Sequence, residues 1–423
     1  MYLDSLKIQN FRCYEDSDFK FNRKFNLIIG KNGSGKTSLL HAIATSFATL
    51  NASALVHYER IKEEDARFLI NTLDGKIRFE RIYPIKIHAK GELFSAKEWT
   101  TEAPRNENSA PIDQNLKNII DSEIKKIGTT AQVDFPILAF YRADRRWLIA
   151  NVSAESAALE RPSRLDGYKG WMDASANIDS FERWVISKTL ERLQKLSESG
   201  ASLSFEGDEL DLVNTAIKNA LPESAGIKYD MTLRSLVVNI SSGKQLPFSS
   251  LSDGQRAMIA LISDIARRIC LLNPHFGIDA LKKCTGLVII DELDIHLHPA
   301  WQRQIVHALK ASFPEVQFIA SSHSPQIIGS LPPEEVIILQ NGESSHPRVT
   351  YGLDSSSVLS EVMDVDSRDP EIQELLQGLF TSLENNELPE AKEKLKNLKN
   401  IAPDLPEFSG AEALIRRKEV LRK

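Results

Sequence analysis

Residues 25–48 read FNLIIGKNGSGKTSLLHAIATSFA and decide the fold of this chain. The apolar run at 25–29 predicts a buried strand, and the apolar spacing after Thr37 predicts a helix that ends near residue 48. Between them lies a complete GxxxxGK[ST] segment, which holds phosphate when it joins a strand to a helix. Its backbone N–H groups and the positive end of the helix then face the anion. The stretch predicts a nucleotide phosphate site, and a glycine-rich turn with an exposed lysine is the weaker alternative.

Two residues of this segment carry distinct chemistry. Lys36 is expected to reach the β and γ phosphates of ATP with its ammonium group. Thr37 is expected to offer its hydroxyl to Mg²⁺, a cation that takes hard oxygen ligands and keeps several waters. The residues of the loop and the first helical turn that we expect to bind the nucleotide are Asn32, Gly33, Ser34, Gly35, Lys36, Thr37 and Ser38.

A second buried strand ends in two carboxylates, in the run LVIIDE at 287–292. One acidic residue in that place is often a helix cap or a surface turn, but two in succession favour metal and water chemistry. Asp291 is expected to hold Mg²⁺ through its hydration shell, and Glu292 to orient and deprotonate the attacking water. His323 follows the next strand, VQFIA, and is expected to contact the γ-phosphate.

The composition is that of an ordinary globular protein of 423 residues, 42% of them hydrophobic, with room for two or three domains. A net charge of −6 excludes a surface that is basic throughout, so contact with nucleic acid would need a local patch. No run approaches the roughly 18 to 20 apolar residues of a membrane span, and the first residues lack the layout of a signal peptide. We therefore expect a cytoplasmic protein without membrane contact.

Cysteine and histidine spacing indicates neither a disulfide framework nor a zinc site. Cys13, Cys270 and Cys284 are odd in number and lie far apart, and we expect all three to be core thiols. His296 and His298 lie two residues apart with no third ligand nearby, so a metal site there is a weak alternative.

Strands and helices alternate along much of the chain, which predicts a parallel α/β core. Strands are expected at 2–9, 18–22, 25–29, 231–240, 285–290, 316–320 and 335–340. An antiparallel side sheet is expected from segments 77–90 and 92–102. Helices are expected at 37–48, 113–127, 178–197, 253–272 and 299–311. We divide the chain into a first ATPase lobe at 1–102, a mostly helical insertion at 103–230, a second ATPase lobe at 231–353 and a helical C-terminal region at 354–423.

The five residues LSDGQ at 251–255 cannot be explained by the distant phosphate loop, and they imply a shared active site. With them the chain resembles the ABC-type ATPases of the SMC, Rad-fifty and RecF kind, over about residues 1–100 and 231–345. GKNGSGKT is similar to their Walker A motif, LSDGQ to their signature and LVIIDE to their Walker B. The resemblance implies an α/β ATPase head with a mixed sheet, helices and an antiparallel side sheet, an inserted helical region and a helical C-terminal appendage.

The resemblance also implies roles for single residues. Asp294 corresponds to the D-loop, His323 to the switch histidine, and Arg12 to an arginine that contacts nucleotide. In this class the signature of one subunit completes the ATP site of a second, where Ser252 and its helix N-terminus would bind the γ-phosphate. Asp253 replaces a glycine that is usual in transporters, a variant frequent in the SMC-like branch. The signature residues expected to bind nucleotide are Ser252, Gly254 and Gln255.

Within this group the chain resembles compact ATPases of anti-phage defence, the PtuA-type proteins of Septu systems and their retron-associated relatives. The insertion is too short for a long coiled coil, and the tail at 354–423 is too short for a TOPRIM nuclease domain. The resemblance implies a homodimer, or a higher oligomer built from dimers, that regulates a separate PtuB-like HNH nuclease. A RecF-like DNA repair or replication ATPase without a nuclease partner is the alternative. A transporter subunit is less favoured, because such ATPases lack this large insertion.

Basic and aromatic residues after the run PILAF make DNA a candidate partner. The cluster consists of Tyr141, Arg142, Arg145, Arg146, Trp147, Arg161 and Arg164. A solvated or ATP-adjacent loop is the alternative of equal weight. The C-terminal basic residues, expected to form a helix face or a partner surface, are Arg416, Arg417, Lys418, Arg422 and Lys423. Gln132, shortly before a strand expected within FPILAFYRADRRW, is a weak candidate for a Q-loop glutamine.

Overall fold

The computed structural model describes residues 1–53, 61–73, 76–104, 112–130, 132–145, 152–159, 161–199, 205–240, 243–365 and 368–421. The chain forms two compact units, Met1–Gly352 and Leu353–Lys423. The strands are β1 (Tyr2–Phe11), β2 (Tyr14–Lys20), β3 (Phe25–Ile29), β4 (Arg67–Leu73), β5 (Lys76–Ile82), β6 (Ile85–Leu93), β7 (Ala96–Ala103), β8 (Ile137–Tyr141), β9 (Ser224–Asp230), β10 (Ser235–Ile240), β11 (Gln245–Pro247), β12 (Gly286–Ile290), β13 (Val316–Ser321), β14 (Val336–Gln340) and β15 (Glu343–Ser345).

The α-helices are α1 (Lys36–Ser46), α2 (Thr49–Ser53), α3 (Gln114–Lys125), α4 (Ala154–Ala158), α5 (Ile178–Ser199), α6 (Glu209–Ala220), α7 (Asp253–Leu272), α8 (Ala280–Lys283), α9 (Pro299–Ser312), α10 (Pro325–Ile328), α11 (Ser355–Ser357), α12 (Pro370–Glu384), α13 (Leu388–Ile401) and α14 (Glu407–Leu421). Throughout the described ranges, no helix combines the length and the apolar content that crossing a membrane requires.

The first unit is built on a six-stranded sheet in the order β15-β14-β3-β13-β12-β8. The five strands from β14 to β8 pair in parallel, and β15 pairs with β14 in the antiparallel sense. Every residue of β3, β8, β12 and β13 is buried. Strands that read as continuous apolar runs suit a parallel sheet that is covered on both faces.

The register of this sheet brings four loops to one edge. Ile28 of β3 pairs with Ser321 of β13, and Ile290 of β12 pairs with Ala320 on one side and Tyr141 on the other. The carboxyl ends of β3, β13, β12 and β8 are therefore level with one another. The crevice outside the carboxyl ends of parallel strands is where α/β proteins bind ligands. The segments that follow these four strands are the candidate site.

A four-stranded antiparallel side sheet, in the order β2-β1-β6-β7, accompanies the main sheet. Gln317 of β13 joins the two sheets, because its amide donates to the carbonyl of Leu3 at 2.8 Å and accepts the N–H of Leu3 at 2.7 Å. The expected fold class is confirmed in its mixed main sheet with helices, its antiparallel side sheet and its C-terminal helices.

Several expected boundaries differ from the structure. The segment 77–90 is divided between two sheets, because β5 forms a separate hairpin with β4 while β6 joins the side sheet. The second strand begins at Tyr14 rather than at residue 18, since Phe11 already pairs with Tyr14 across a tight turn. The strand expected within FPILAFYRADRRW is observed as β8, but it belongs to the main sheet rather than to a separate, mostly helical insertion at 103–230. The division into lobes and insertion stays a proposal.

A buried polar cluster fixes α7 against β8. Asp264 accepts a hydrogen bond from the Tyr141 hydroxyl at 2.8 Å and forms ion pairs with Arg267 at 2.6 Å and Arg268 at 2.7 Å. Burial alone would raise the pKa of Asp264, but the two guanidinium groups outweigh it and lower the pKa below its ordinary value. Arg268 also donates to the carbonyl of Gly167 at 2.9 Å. The helix that begins at the LSDGQ segment is thus tied to a strand of the candidate site.

The three cysteines do not share one environment. Cys270 and Cys284 are buried, as expected, and burial raises the pKa of Cys284 to about 12. Cys13 is exposed, so its expected core position is wrong. It lies in the tight turn between β1 and β2, and a Cβ atom at Gly35 would lie 2.8 Å from its sulfur.

The second unit consists of the last helices of the chain. Apolar side chains of α12, α13 and α14 form its core, namely Leu376, Leu379, Leu383, Leu388, Ala391, Leu395, Leu398, Phe408, Ala411 and Ile415. Exposed ion pairs join neighbouring helices on the surface, as between Lys399 and Glu412. The helical character expected for 354–423 is observed in these helices.

Candidate functional site

The glycine-rich loop after β3 takes a conformation that favours glycine. Gly33 and Gly35 have φ values of +81° and +100°, in the region that L side chains rarely adopt. The Tyr14 hydroxyl donates to the carbonyl of Gly35 at 2.9 Å, and a Cβ atom at Gly35 would lie 2.7 Å from that hydroxyl oxygen. The loop is thereby held against the β1–β2 turn, and α1 begins directly after it, at Lys36.

Lys36 lies buried within the loop, with 8% of its surface exposed. Its ammonium group donates to the carbonyls of Gly30 at 2.9 Å and Lys31 at 3.1 Å. Burial lowers the pKa of Lys36, and the carboxylates of Asp291 and Glu292 act in the opposite direction. The two ends of the site, which lie some 255 residues apart in the sequence, therefore share one electrostatic environment.

The loop has the features that a bound phosphate would satisfy. The Ser34 hydroxyl oxygen is buried and has no hydrogen-bond partner among the described residues. Gly33 is exposed, and nothing lies within 4 Å of the position a Cβ atom would take there. Asn32 and Thr37 are also exposed and Ser38 is half-buried. An anion placed on the loop would meet an unpaired hydroxyl, the N-terminus of α1 and the Lys36 cation, so the donor set fits a nucleotide phosphate.

Asp291 and Glu292 follow β12, and Ser321 at the end of β13 connects them. The Ser321 hydroxyl donates to a carboxylate oxygen of Asp291 at 2.5 Å and accepts the N–H of Glu292 at 2.7 Å. Asp291 is 3% exposed. With the Thr37 hydroxyl, its carboxylate supplies the hard oxygen ligands that suit Mg²⁺.

Glu292 has an unusual backbone conformation, with φ at +50°. A non-glycine residue in the left-handed region costs on the order of 1–3 kcal/mol and persists only where its surroundings hold it. Such residues cluster at functional sites. The conformation is an observation about Glu292 that sequence reasoning could not supply.

Arg145 lies beneath this turn, with 5% of its surface exposed. One terminal nitrogen donates to the carbonyl of Asp291 at 2.5 Å and the other to the carbonyl of Glu292 at 2.7 Å. Burial lowers the pKa of Arg145 to about 10, although Asp291, Asp294 and Glu292 counteract it. No sequence motif indicated this placement, because only the pairing of β8 with β12 brings Arg145, four residues after β8, to this turn.

Asp294 and His323 lie next to each other. The N–H of His323 donates to the Asp294 carboxylate at 3.3 Å. Gln302 of α9 fixes both segments, since its amide donates to the carbonyl of Asp294 at 3.3 Å and accepts the Ser324 hydroxyl at 2.8 Å. Sequence reasoning identified Asp294 and His323 but missed Gln302 and Ser321, which are ordinary polar residues without a motif of their own.

Ser252 caps the N-terminus of α7. Its hydroxyl accepts the N–H of Gln255 at 3.3 Å, and the Gln255 side chain accepts the N–H of Ser252 at 3.2 Å, which is a capping box. Ser252 and Asp253 are exposed, whereas Gly254 is buried. A Cβ atom at Gly254 would lie 2.4 Å from the carbonyl oxygen of His296. The start of the signature helix thus packs against the segment that follows Asp294.

Arg12 is half-buried in the β1–β2 turn and pairs with Asp65 at 2.8 Å. It lines a small polar pocket together with His41 and Arg142. Burial lowers the pKa of His41 to about 4, and the charges of Arg12 and Arg142 add to this. A nucleotide contact by Arg12 stays a prediction.

Among the described residues, three members of the basic and aromatic cluster at 141–164 lie in the interior or bind backbone carbonyls rather than form a surface patch, and contact of the remaining members with DNA stays a prediction. Tyr141 and Arg145 are buried inside the unit. Arg164 donates to the carbonyls of Leu272 at 2.8 Å and Val133 at 2.7 Å, and therefore links backbone segments. Arg161 is exposed. Arg146 and Trp147 lie outside the described residues, as do Arg422 and Lys423 of the C-terminal cluster.

Two weaker candidates also lose support. Gln132 precedes β8, so it lies toward the amino end of that strand, whereas the candidate site lies at the carboxyl ends. His298 caps α9 by accepting the N–H of Ala300 at 3.2 Å. Among the described residues, no group of three or more histidine, cysteine or acidic side chains has the arrangement of a metal site.

Residues 25–329 match the model of a family described as "AAA domain, putative AbiEii toxin, Type IV TA system". The chain is 26% identical to the "Retron Ec83 probable ATPase" of Escherichia coli, over 86% of this chain and 77% of that protein. It is 30% identical to the "Septu protein PtuA" of Bacillus mycoides (strain KBAB4), over 94% of this chain and half of that protein.

Among solved structures, the SMC head domain from Thermotoga maritima aligns with a TM-score of 0.40 and 16% identity, over 82% of this chain and 99% of that one. The expected similarity to retron-associated ATPases and to Septu PtuA proteins is confirmed.

Proposed function

The chain belongs to the AAA-domain family whose model it matches, and we propose that it is a Mg-ATP-binding and hydrolysing ATPase of an anti-phage defence system. In this proposal it dimerises through ATP and regulates a separate HNH nuclease. The cytoplasm remains the expected location.

One observation carries the proposal. The carboxyl ends of four neighbouring strands bring together a phosphate loop with a buried lysine, a carboxylate pair and a paired aspartate and histidine. Phosphoryl transfer needs positioning and charge stabilisation far more than covalent chemistry, and these groups supply both.

Each residue then has a role. Lys36 and the backbone of the glycine-rich loop bind the β and γ phosphates, with the Ser34 hydroxyl as a further donor. Glu292 orients a water and accepts its proton, and it lies at the same edge of the sheet as Lys36. His323 contacts the γ-phosphate, and Asp294 holds the backbone of His323 in place.

Thr37 and Asp291 are the residues that would hold Mg²⁺. When bound, the ion neutralises charge on the phosphate oxygens. Ser321 keeps the Asp291 carboxylate oriented by donating to one of its oxygens, which leaves the other oxygen for the hydration shell of the ion.

The signature segment supports completion of the site by a second subunit. Ser252 is exposed at the N-terminus of a 20-residue helix, and the hydrogen bonds of its hydroxyl and N–H stay within the first turn. The positive end of such a helix stabilises an anion. A γ-phosphate held by another copy of the chain has the matching charge.

Glu292→Gln tests the proposal. The amide cannot accept the proton of the water, so we expect ATP binding to be retained and turnover to fall by about 100-fold or more. The trapped nucleotide should also hold the dimer together in size-exclusion chromatography. Glu315→Gln, an exposed residue paired with Lys24, is the matched control and should hydrolyse ATP normally. Hydrolysis at the normal rate by Glu292→Gln would place the base elsewhere.

The nuclease partner is tested separately. The chain is to be expressed with the genes that flank it, and proteins that co-purify are to be identified by mass spectrometry. Recovery of an HNH nuclease would support the defence proposal. An active ATPase that binds DNA and recovers no nuclease would favour the RecF-like alternative.

A further inference from the structure

We propose that Arg145 is a positioning residue for Glu292: its guanidinium fixes the backbone of the 291–292 turn and so aims the carboxylate. This inference rests on the proposed function and deepens it, because it names a group that acts on the catalytic base without touching the nucleotide. The sequence motifs assign no such role to Arg145.

The turn needs to be held, because Glu292 has a φ of +50°. Hydrogen bonds from several neighbours hold it. Arg145 donates to the carbonyls of Asp291 and Glu292 at 2.5 and 2.7 Å. Ser321 accepts the N–H of Glu292 at 2.7 Å, and Leu293 donates to the carbonyl of Ser321 at 2.8 Å. Arg145 is the contact that fixes two successive carbonyls at once.

The chemistry of arginine explains why this residue is needed. A guanidinium is planar and presents N–H groups from two terminal nitrogens in a fixed fork, whereas lysine offers a single ammonium. Here the two nitrogens bind different carbonyls, and one of them also donates to the carbonyl of Arg142 at 3.1 Å. A lysine could donate one of these hydrogen bonds, but it could not reproduce the geometry in which both carbonyls are bound at once.

The strand pairing of the main sheet places Arg145 beside the 291–292 turn. Tyr141 pairs with Ile290 in the parallel register, and the N–H of Asp291 donates to the carbonyl of Tyr141 at 2.8 Å. The chain after β8 and the chain after β12 therefore leave the sheet side by side. Because Arg145 is 5% exposed, it is committed to this contact and unable to serve as a surface cation.

The test compares Arg145→Gln and Arg145→Lys with Arg164→Gln in the full-length protein. Arg164 is the matched control, because it also donates to two backbone carbonyls in the same unit. A small misplacement of a reacting group costs up to about 100-fold in rate, so we expect kcat to fall by about 10- to 100-fold in both Arg145 variants. The Kd for ATP, measured with a non-hydrolysable analogue, should change by less than about 3-fold. Arg164→Gln should keep its kcat.

A double-mutant cycle identifies the residue through which Arg145 acts. In single-turnover measurements, Arg145→Gln should cause no further loss once Glu292→Gln is present, because the carboxylate that it aims is gone. Losses that multiply, or a Kd for ATP that rises in proportion to the loss of kcat, would overturn the proposal. Normal turnover by Glu292→Gln alone would instead refute the assigned base, so the two failures can be told apart.

Replacing a buried arginine can prevent folding. Ser321→Ala tests the same proposal while keeping Arg145 in place. It removes the bond to the N–H of Glu292 from the opposite side of the turn, and with it the bond that the hydroxyl donates to the Asp291 carboxylate, so kcat is to be measured at saturating Mg²⁺. If the turn must be held to aim Glu292, Ser321→Ala should also lower kcat with a circular dichroism spectrum and Tm close to wild type. An unchanged kcat in a folded Ser321→Ala protein would overturn the proposal.

Discussion

The two parts of the chain that we expect to contact ATP are built in different ways. The phosphate side is buried and cross-linked: Lys36 is 8% exposed, Asp291 is 3% exposed, and Ser321 and Arg145 hold the acidic turn from two sides. The signature side is open. Ser252 and Asp253 are exposed, and the capping bonds of Ser252 stay within one helical turn.

The difference separates the groups that the fold holds in position from the groups that it leaves accessible. Groups that must be placed within a fraction of an ångström are held by the main sheet, whose register sets their positions. A group that must meet a second molecule has to remain accessible. In the proposed function the phosphate side is therefore a half-site that the fold positions in advance and the signature side an exposed one, and α7 with the buried Asp264 cluster connects the two.

The largest expected effect comes from separating the two half-sites. Lys36→Ala should abolish ATP binding, whereas Ser252→Arg should leave binding to the phosphate loop intact and abolish turnover. Mixed in equal amounts, the two variants should recover about one quarter of the wild-type rate, because half of the dimers are mixed and each has one intact site. ATP hydrolysis measured across mixing ratios checks this.

A matched mixture strengthens the complementation test. Lys36→Ala mixed with a Lys36→Ala/Ser252→Arg double variant contains no intact site in any pairing, so it should stay inactive at every ratio. If the first mixture is as inactive as this control while its subunits exchange, completion by a second subunit is excluded.

The next effect concerns the connection between the half-sites. Asp264→Asn leaves Arg267 and Arg268 buried without a carboxylate, and removing one partner of a buried ion pair costs about 3–5 kcal/mol. We expect a loss of this size in the free energy of unfolding, measured with denaturant at pH 7. Asp208→Asn, in a half-exposed pair with Arg192, is the control and should lose far less.

The pH dependence of the same variant follows from the pKa of Asp264. The pKa is lower in the folded than in the unfolded protein, so its contribution is complete above the unfolded value near 4 and is lost as the pH falls through the folded value. The gap in stability between wild type and Asp264→Asn should therefore narrow below about pH 4. A gap that is constant down to pH 2 would mean that the charge of Asp264 is not its source.

The strands and helices of the main sheet could be predicted from the sequence because their apolar runs are continuous and their boundaries are marked. Helix α7 was expected at 253–272 and is observed there, since Ser252 and Gln255 form a capping box that is readable in sequence. The phosphate loop and the acidic pair were likewise predicted from motifs whose spacing is fixed by chemistry, and their roles stay predictions.

The rest depended on tertiary contacts that no local pattern contains. Arg145 lies in a run rich in basic and aromatic residues, which favours a surface patch. Only the pairing of β8 with β12 shows that it is buried. Ser321 and Gln302 act through hydrogen bonds to residues far away in sequence. The conformation of Glu292 is imposed by those contacts. Polar residues with long-range partners are what single-sequence reasoning assigned wrongly or missed.

The smallest expected effect comes from substitutions that separate the N-cap role of Ser252 from its expected binding of the γ-phosphate. As an N-cap, Ser252→Ala should cost about 1 kcal/mol of stability, measured as the free energy of unfolding. Aspartate is an equally good N-cap and its charge suits a helix N-terminus, so Ser252→Asp should recover that stability. The same charge repels a γ-phosphate, and ATP hydrolysis should stay low. If hydrolysis returns together with stability in Ser252→Asp, Ser252 serves the fold alone, and the signature side would not be the phosphate-binding half of a shared site.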